Sequence, residues 1–397
     1  SMTLTTAALV VTEHELSATR RAAFLYLVMS HVGTGCLIAG FLGLAAFSDP
    51  PSLSFSTLLD GGVAPGLGRE TLFLLFLVGF GVKAGIVPLH VWLPEAHPAA
   101  PTNISALMSS VLIKTGIYGL VRVAAFGLGP PSLLWGVSIV VCGGVAELLG
   151  VLYALMQHDL KRLLAYHSIE NIGIILLGLG AGMVSLAYGR ADVAAIGIAA
   201  SLYHVLNHAV FKGLLFLGAG GVVMGTATRR LEELGGLLRN MPWTGLLFLV
   251  GAKAISRLPP FNGFASDWLT FQACLFVSQG CTEPLVYFLF PVGGALLALT
   301  TALAAACFVK AFGVSFLALP RSAAAADVRE APAIMLVPQA VLAALCLGLG
   351  LFPGAVLRVL KGVVESASGL QLQPHVAPSA LGMSAGSFDH VVPVLGA

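Results

Sequence analysis

Residues 201–221 read SLYHVLNHAVFKGLLFLGAGG and place His204, His208 and Lys212 in a run that is otherwise mostly Leu, Val, Phe, Ala and Gly. Positions i, i+4 and i+8 share one helix face, and a rise of 1.5 Å per residue carries that face over about 12 Å. The stretch therefore predicts an apolar helix with a polar stripe through its middle. A lone histidine here would read as a hydrogen-bonded packing residue, but three ionisable groups on one face point to a shared role. The HxxxH spacing also matches zinc ligation on a helix; with no third ligand evident, no metal is expected.

The rest of the chain sets the environment of that helix. It has 397 residues, 57% hydrophobic and 10% charged, whereas soluble domains carry about a quarter charged residues. That composition excludes an ordinary water-soluble fold and predicts an all-α polytopic membrane protein. A net charge of +2 offers no nucleic-acid-binding surface. Six cysteines (Cys36, Cys142, Cys274, Cys281, Cys307, Cys346) are scattered without a CxxC pair, so they read as buried thiols, with no cofactor expected.

Nine apolar runs are long enough to cross a bilayer, near 22–47, 71–92, 104–126, 133–157, 163–187, 194–224, 243–277, 285–319 and 333–360. Residues 1–12 read as the tail of a helix already under way, which gives about nine spans plus a partial one in a piece of a longer protein. The second run is interrupted by KAGIVPLHVWLPEAHP (83–98) and the seventh by SRLPPFNGFASDW (256–268). Pro and Gly free backbone groups there, tolerable only where protein or water satisfies them. One broken helix in each half is the pattern of inverted repeats. From Ser366 the sequence reads as a loop or tail.

Basic residues divide unevenly between the two ends of the spans. One side receives Arg20, Arg21, Lys161, Arg162, Arg229, Arg230, Arg239, Arg321 and Arg329; the other receives Arg69, Arg122, Arg190, Arg358 and Lys361. The first side is expected to be cytoplasmic. Asp159, Lys161 and Arg162 read as topology anchors at a helix start, and His90 and His97, flanking a Pro-rich turn, read as structural.

Lys83, Lys114 and Lys310 fall well inside the second, third and eighth runs. A charge at mid-bilayer costs roughly 2.5–3.5 kcal/mol on insertion scales, so these lysines and the 204–212 stripe must face protein or water. Burial makes a lysine able to lose and regain a proton as its partner moves, and histidine titrates near neutral pH. A line of such groups suits proton relay.

Several stretches resemble one family. GVKAGIVPLHVWLPEAHPAAPTNISALMSSVLIKTGIYGLVR (81–122), QHDLKRLLAYHSIENIGIILLGLG (157–180), SLYHVLNHAVFKGLLFL (201–217) and LPPFNGFASDW (258–268) are similar to the antiporter-like proton-translocating subunits. These are shared by respiratory complex I, Mrp-type antiporters and membrane-bound [NiFe] hydrogenases. TEHELSATRRAAFLYLVMSHVGTG (12–35) and CFVKAFGVSFLALPR (307–321) resemble the component B group of hydrogenase-4 and formate hydrogenlyase.

The resemblance implies about fourteen helices with two inverted five-helix repeats. It divides this chain into the end of the first repeat (1–126), the second repeat (133–319), an additional transmembrane helix (333–360) and a loop or tail (366–397). It further implies proton transfer through Lys83, Lys114, His204, His208, Lys212, Asp267 and Lys310, without a redox centre in this chain. The partners implied are other membrane subunits, a peripheral redox module of [NiFe] hydrogenase type and the lipid bilayer, in a prokaryotic cytoplasmic (inner) membrane. The glutamate that partners Lys83 would lie before residue 1. Glu147, Lys253 and Arg257 stand where small or apolar residues are expected, and an ion pair between Glu147 and Lys253 or Arg257 would offset their burial. The alternatives are a stand-alone cation/proton antiporter, a bicarbonate-uptake subunit, or an inactive truncated scaffold.

Overall fold

The computed structural model describes residues 2–47, 52–55, 58, 63–279 and 283–368. Cys281 and residues 369–397 of the expected tail lie outside these residues; residues 366–368, expected to begin that loop or tail, are helical. Among the described residues every regular element is helical: α1 (Met2–Val10), α2 (Ser17–Phe47), α3 (Leu67–Ala84), α4 (Leu93–Ala99), α5 (Thr102–Ala125), α6 (Leu133–Leu155), α7 (Leu160–Ala187), α8 (Ala191–Thr226), α9 (Pro242–Ile255), α10 (Asn262–Ser278), α11 (Pro284–Phe316), α12 (Ala333–Leu351) and α13 (Pro353–Ser368).

Seven of them (α2, α5, α6, α7, α8, α11 and α12) are long and apolar enough to cross a membrane. The remaining two apolar runs are broken helices. Helix α3 stops at Gly85, whose φ of +76° is left-handed and whose N–H returns to the Gly81 and Val82 carbonyls, the usual glycine ending of a helix. Chain direction then changes through residues 86–92 before α4. The Trp92 indole N–H donates to the Val82 carbonyl at 2.8 Å, satisfying one group freed by the break. The second break, between α9 and α10, turns on Arg257, at φ +57°. Gly263 and Gly350 let the surrounding backbone close on it: a Cβ on Gly350 would stand 2.1 Å from the Pro260 carbonyl oxygen.

The run expected to continue to residue 360 is two helices. Pro353 cannot join the hydrogen-bond ladder of α12, so the chain restarts as α13, with Leu357 and Val364 buried and Val359 and Val363 exposed.

Helix α7 is the centre of the fold. In its most apolar stretch 94% of residues are buried, against 22% for α2 and 17% for α12. Small residues allow this. Gly136, Gly143 and Gly150 of α6 interlock with Gly173 and Gly180 of α7, and Gly197 of α8 lies on Gly178 and Gly182. In a membrane, where lipid is as apolar as leucine, such close backbone approach is a main source of helix association.

The connections α6–α7, α8–α9 and α11–α12 gather at one face. There Asp159 caps α7, accepting from the Lys161 and Arg162 backbone N–H groups at 2.9 and 3.0 Å, and pairs with Arg229. Arg321 donates to the Leu231 carbonyl and Ser322 to the Glu233 carbonyl. Glu330 caps α9 through the Trp243 N–H and Thr244 hydroxyl at 2.7 and 2.6 Å.

Candidate functional site

Helix α8 presents His204, His208 and Lys212 to the interior, and all three are fully buried. They connect to two separate polar networks, one at each end of the stripe.

The first network joins Lys212 to Lys114. The Lys212 Nζ donates to the Leu164 carbonyl of α7, which also accepts from the Ser168 hydroxyl at 3.3 Å. Ser168 and Ser109 share a hydrogen bond at 2.9 Å, and Lys114 Nζ donates to the Ser109 carbonyl. Ser109 lies in a π-helical turn, Met108–Leu112, and a second such turn follows at Leu120–Ala125. A π turn widens the helix and disturbs its ladder; Lys114 takes up the Ser109 carbonyl from within α5.

The second network is a ring closed on His204. Its Nε2–H donates to Asn171 Oδ1 at 3.0 Å. Asn171 Nδ2 donates to Glu170 at 3.4 Å and to the His167 carbonyl at 2.6 Å. Glu170 receives Arg257 Nη2 at 2.8 Å on one oxygen and contacts His167 Nδ1 with the other. Arg257 Nε lies 2.5 Å from Asp267, whose other oxygen is 3.2 Å from His204 Nδ1. These last contacts are at ion-pair distance but not aligned as hydrogen bonds. Ser266 Oγ also reaches His204 Nδ1, at 2.9 Å, while accepting from Asn207 at 2.9 Å.

His204 Nδ1 therefore faces two groups at once, the Ser266 hydroxyl and the Asp267 carboxylate.

His208 stands between the networks, its ring centroid 6.4 Å from that of His204 and one helical turn from Lys212. Neither of its ring nitrogens has a hydrogen-bond partner among the described residues. His97 shares that condition; it is fully buried and stacks on Phe216 at 4.9 Å, the ring over which Lys212 Nζ sits.

The structure thus brings Lys114, His204, His208, Lys212 and Asp267 into the two networks, while Lys83 and Lys310 have other surroundings. Lys83 is half-buried in the last turn of α3, in a small cleft with Tyr26, Ser30, Trp92 and Thr115. Lys310 Nζ donates to the Leu155 and Gln157 carbonyls at 2.9 and 3.0 Å, closing the C-terminal end of α6.

Two readings change. The carboxylate of Glu147 forms no ion pair with Arg257, which Glu170 and Asp267 engage instead, and Lys253 is exposed at the helix surface. Lys161 is buried rather than a surface anchor, its Nζ donating to the Ala100 carbonyl at the floor of an open polar cavity that Arg229 and Arg230 also line. His97 lies in the interior beside the stripe. Glu170, His167 and Asn171 are the site residues that sequence reading missed. Their signal was HSIEN (167–171) inside a 28-residue apolar helix, where a glutamate is as costly as any of the lysines.

A bundle with seven helices long and apolar enough to cross a membrane, which buries two sets of titratable side chains, is a multi-pass membrane protein. Residues 1–289 match the family described as NADH:quinone oxidoreductase/Mrp antiporter, TM, and the chain belongs to that family. It is 44% identical over 327 residues to hydrogenase-4 component B of Escherichia coli (strain K12), covering 82% of this chain and 48% of that protein. It is 42% identical over 308 residues to formate hydrogenlyase subunit 3 of the same strain, covering 78% and 50%. The chain spans about half the length of these curated relatives. A chain of respiratory complex I from Thermus thermophilus superposes with a TM-score of 0.77 at 26% identity, covering 91% of this chain and 72% of that one.

Proposed function

We propose that this chain carries protons through the membrane interior as part of an antiporter-like subunit, within an assembly driven by a redox module of hydrogenase type. The observation that carries the reading is the succession Lys114–Ser109–Ser168–Lys212–His208–His204–Asp267, whose members are each at least nine-tenths buried and drawn from α5, α7, α8 and α10. Protonation passes between neighbours as each lysine or imidazole changes partner. The hydrogenase-4 and formate hydrogenlyase relatives supply the class of partner, and the bilayer is the cytoplasmic membrane of a prokaryote. Lys83 and Lys310 are the outlying members of the line. The two broken helices, α3–α4 and α9–α10, belong to the two inverted repeats.

The reading is tested in proteoliposomes holding the full-length subunit in its complex, with an entrapped pH dye. Lys114→Ala and Lys212→Met should each slow proton uptake by about 10²-fold, the scale of losing one positioned proton-transfer group. Wild-type uptake in both variants would favour an inactive scaffold. Uptake that requires sodium would favour a stand-alone antiporter.

A further inference from the structure

Glu147, on α6, is fully buried, and neither carboxyl oxygen has a hydrogen-bond partner among the described residues. It is not remote from charge. The ionisable groups that act on it are Glu170 of α7, Arg257 at the α9–α10 break, and Asp267 and Cys274 of α10. Yet Arg257 lies beyond ion-pair distance, held by the other two carboxylates. The backbone of Gly173 presses against Glu147 so closely that a Cβ there would stand 2.5 Å from the Glu147 nitrogen, which fixes this turn of α6 against the network.

An ionised carboxylate with no partner is among the costliest groups to bury; a neutral acid is far less so. One guanidinium cannot serve three carboxylates, and two already share it. We infer that Glu147 is a proton-storage site flanking the ring, held as the neutral acid while Arg257 pairs with Glu170 and Asp267. The inference deepens the proton-carrying reading and rests on it for its purpose, though not for its chemistry. Discharge breaks the Glu147 O–H bond and forms an O–H bond on an Asp267 oxygen. The electron pair of the first bond stays on Glu147 as its carboxylate, and Arg257, released from Asp267, becomes its counter-ion. Net charge in the cluster is unchanged.

The experiment is infrared spectroscopy of the assembled complex, in H2O and D2O, at neutral pH. Glu147→Gln imitates the neutral acid in shape, so the complex should assemble in wild-type yield and lose one deuterium-sensitive carboxylic-acid carbonyl band. A second variant, Arg257→Gln, should add carboxylic-acid absorption as Glu170 and Asp267 lose their cation. An unchanged carboxylic-acid region in Glu147→Gln, or assembly that fails with Gln but survives with Asp, would overturn the inference by showing an ionised Glu147. Loss of the band alongside wild-type proton uptake in Lys114→Ala and Lys212→Met would leave the stored proton standing and remove the conduction reading.

Discussion

Arg257 determines how the carboxylates of the interior are arranged. It touches Glu170, Asp267 and Thr301 together, at 2.8, 2.5 and 3.3 Å. A buried ion pair returns little net stability because desolvation offsets the attraction, but removing one partner strands the other. Arg257→Leu should therefore destabilise the subunit by about 3–5 kcal/mol, read as a lowered melting temperature of the solubilised complex. Adding Glu170→Gln should recover part of the loss. A melting temperature unchanged in the single variant would mean that the guanidinium is screened by water and not bound to the carboxylates. The four interior lysines behave differently: Lys114, Lys161, Lys212 and Lys310 all donate to main-chain carbonyls. An ammonium held by neutral acceptors strands no carboxylate when it moves, unlike the guanidinium of Arg257. What the sequence made legible at this scale was the cost of each charge. The apolar context of Lys114, Lys212 and Glu147 announced that they needed partners. Who the partners are was hidden, because Glu170 and Arg257 are 87 positions apart and no periodicity links them. The π turns at 108–112 and 120–125 have no residue signature either, and the first carries the Ser109 carbonyl that Lys114 reaches.

At the scale of elements, helices and their breaks follow from simple chemistry. Runs of apolar residues form helices because every backbone group must be paired inside the segment. KAGIVPLH and SRLPPFNG break them because proline lacks the N–H and Gly85 takes the left-handed turn. Both breaks were readable from sequence, as was the stripe on α8. The end of α12 was misread because Pro353 sits in an uninterrupted apolar stretch, where hydropathy continues but the hydrogen-bond ladder does not. The interlock of α6 with α7 yields a direct test. Gly173→Val places a side chain against the Glu147 backbone and should cost about 1–3 kcal/mol by overpacking, whereas Gly35→Val, open to space on α2, should cost a few tenths. Equal losses would deny α6–α7 contact its central place. Lys310→Met tests a smaller element, the C-terminal end of α6. Loss of a cation from two terminal carbonyls should cost about 1–2 kcal/mol, measured in the same melting assay, with Lys310→Arg close to wild type.

For the molecule as a whole, α7 lies in the middle, with the polar networks along it and apolar faces outside. The outer faces of α2 and α12, with Phe24, Ile38, Ile334 and Val341 exposed, are suited to lipid or to neighbouring membrane subunits. Interlocked loops close one side and carry Arg229, Arg230, Arg239, Arg321 and Arg329. The weak point in this architecture is the imidazole that stands between Lys212 and His204: in the proposed succession protons pass His208. His208→Phe keeps an aromatic ring of similar shape but removes both ring nitrogens. In proteoliposomes bearing the complete complex, this substitution should cut dye-reported proton flux by about 10²-fold while the melting temperature stays within a degree or two. Flux equal to wild type at unchanged stability would contradict the account.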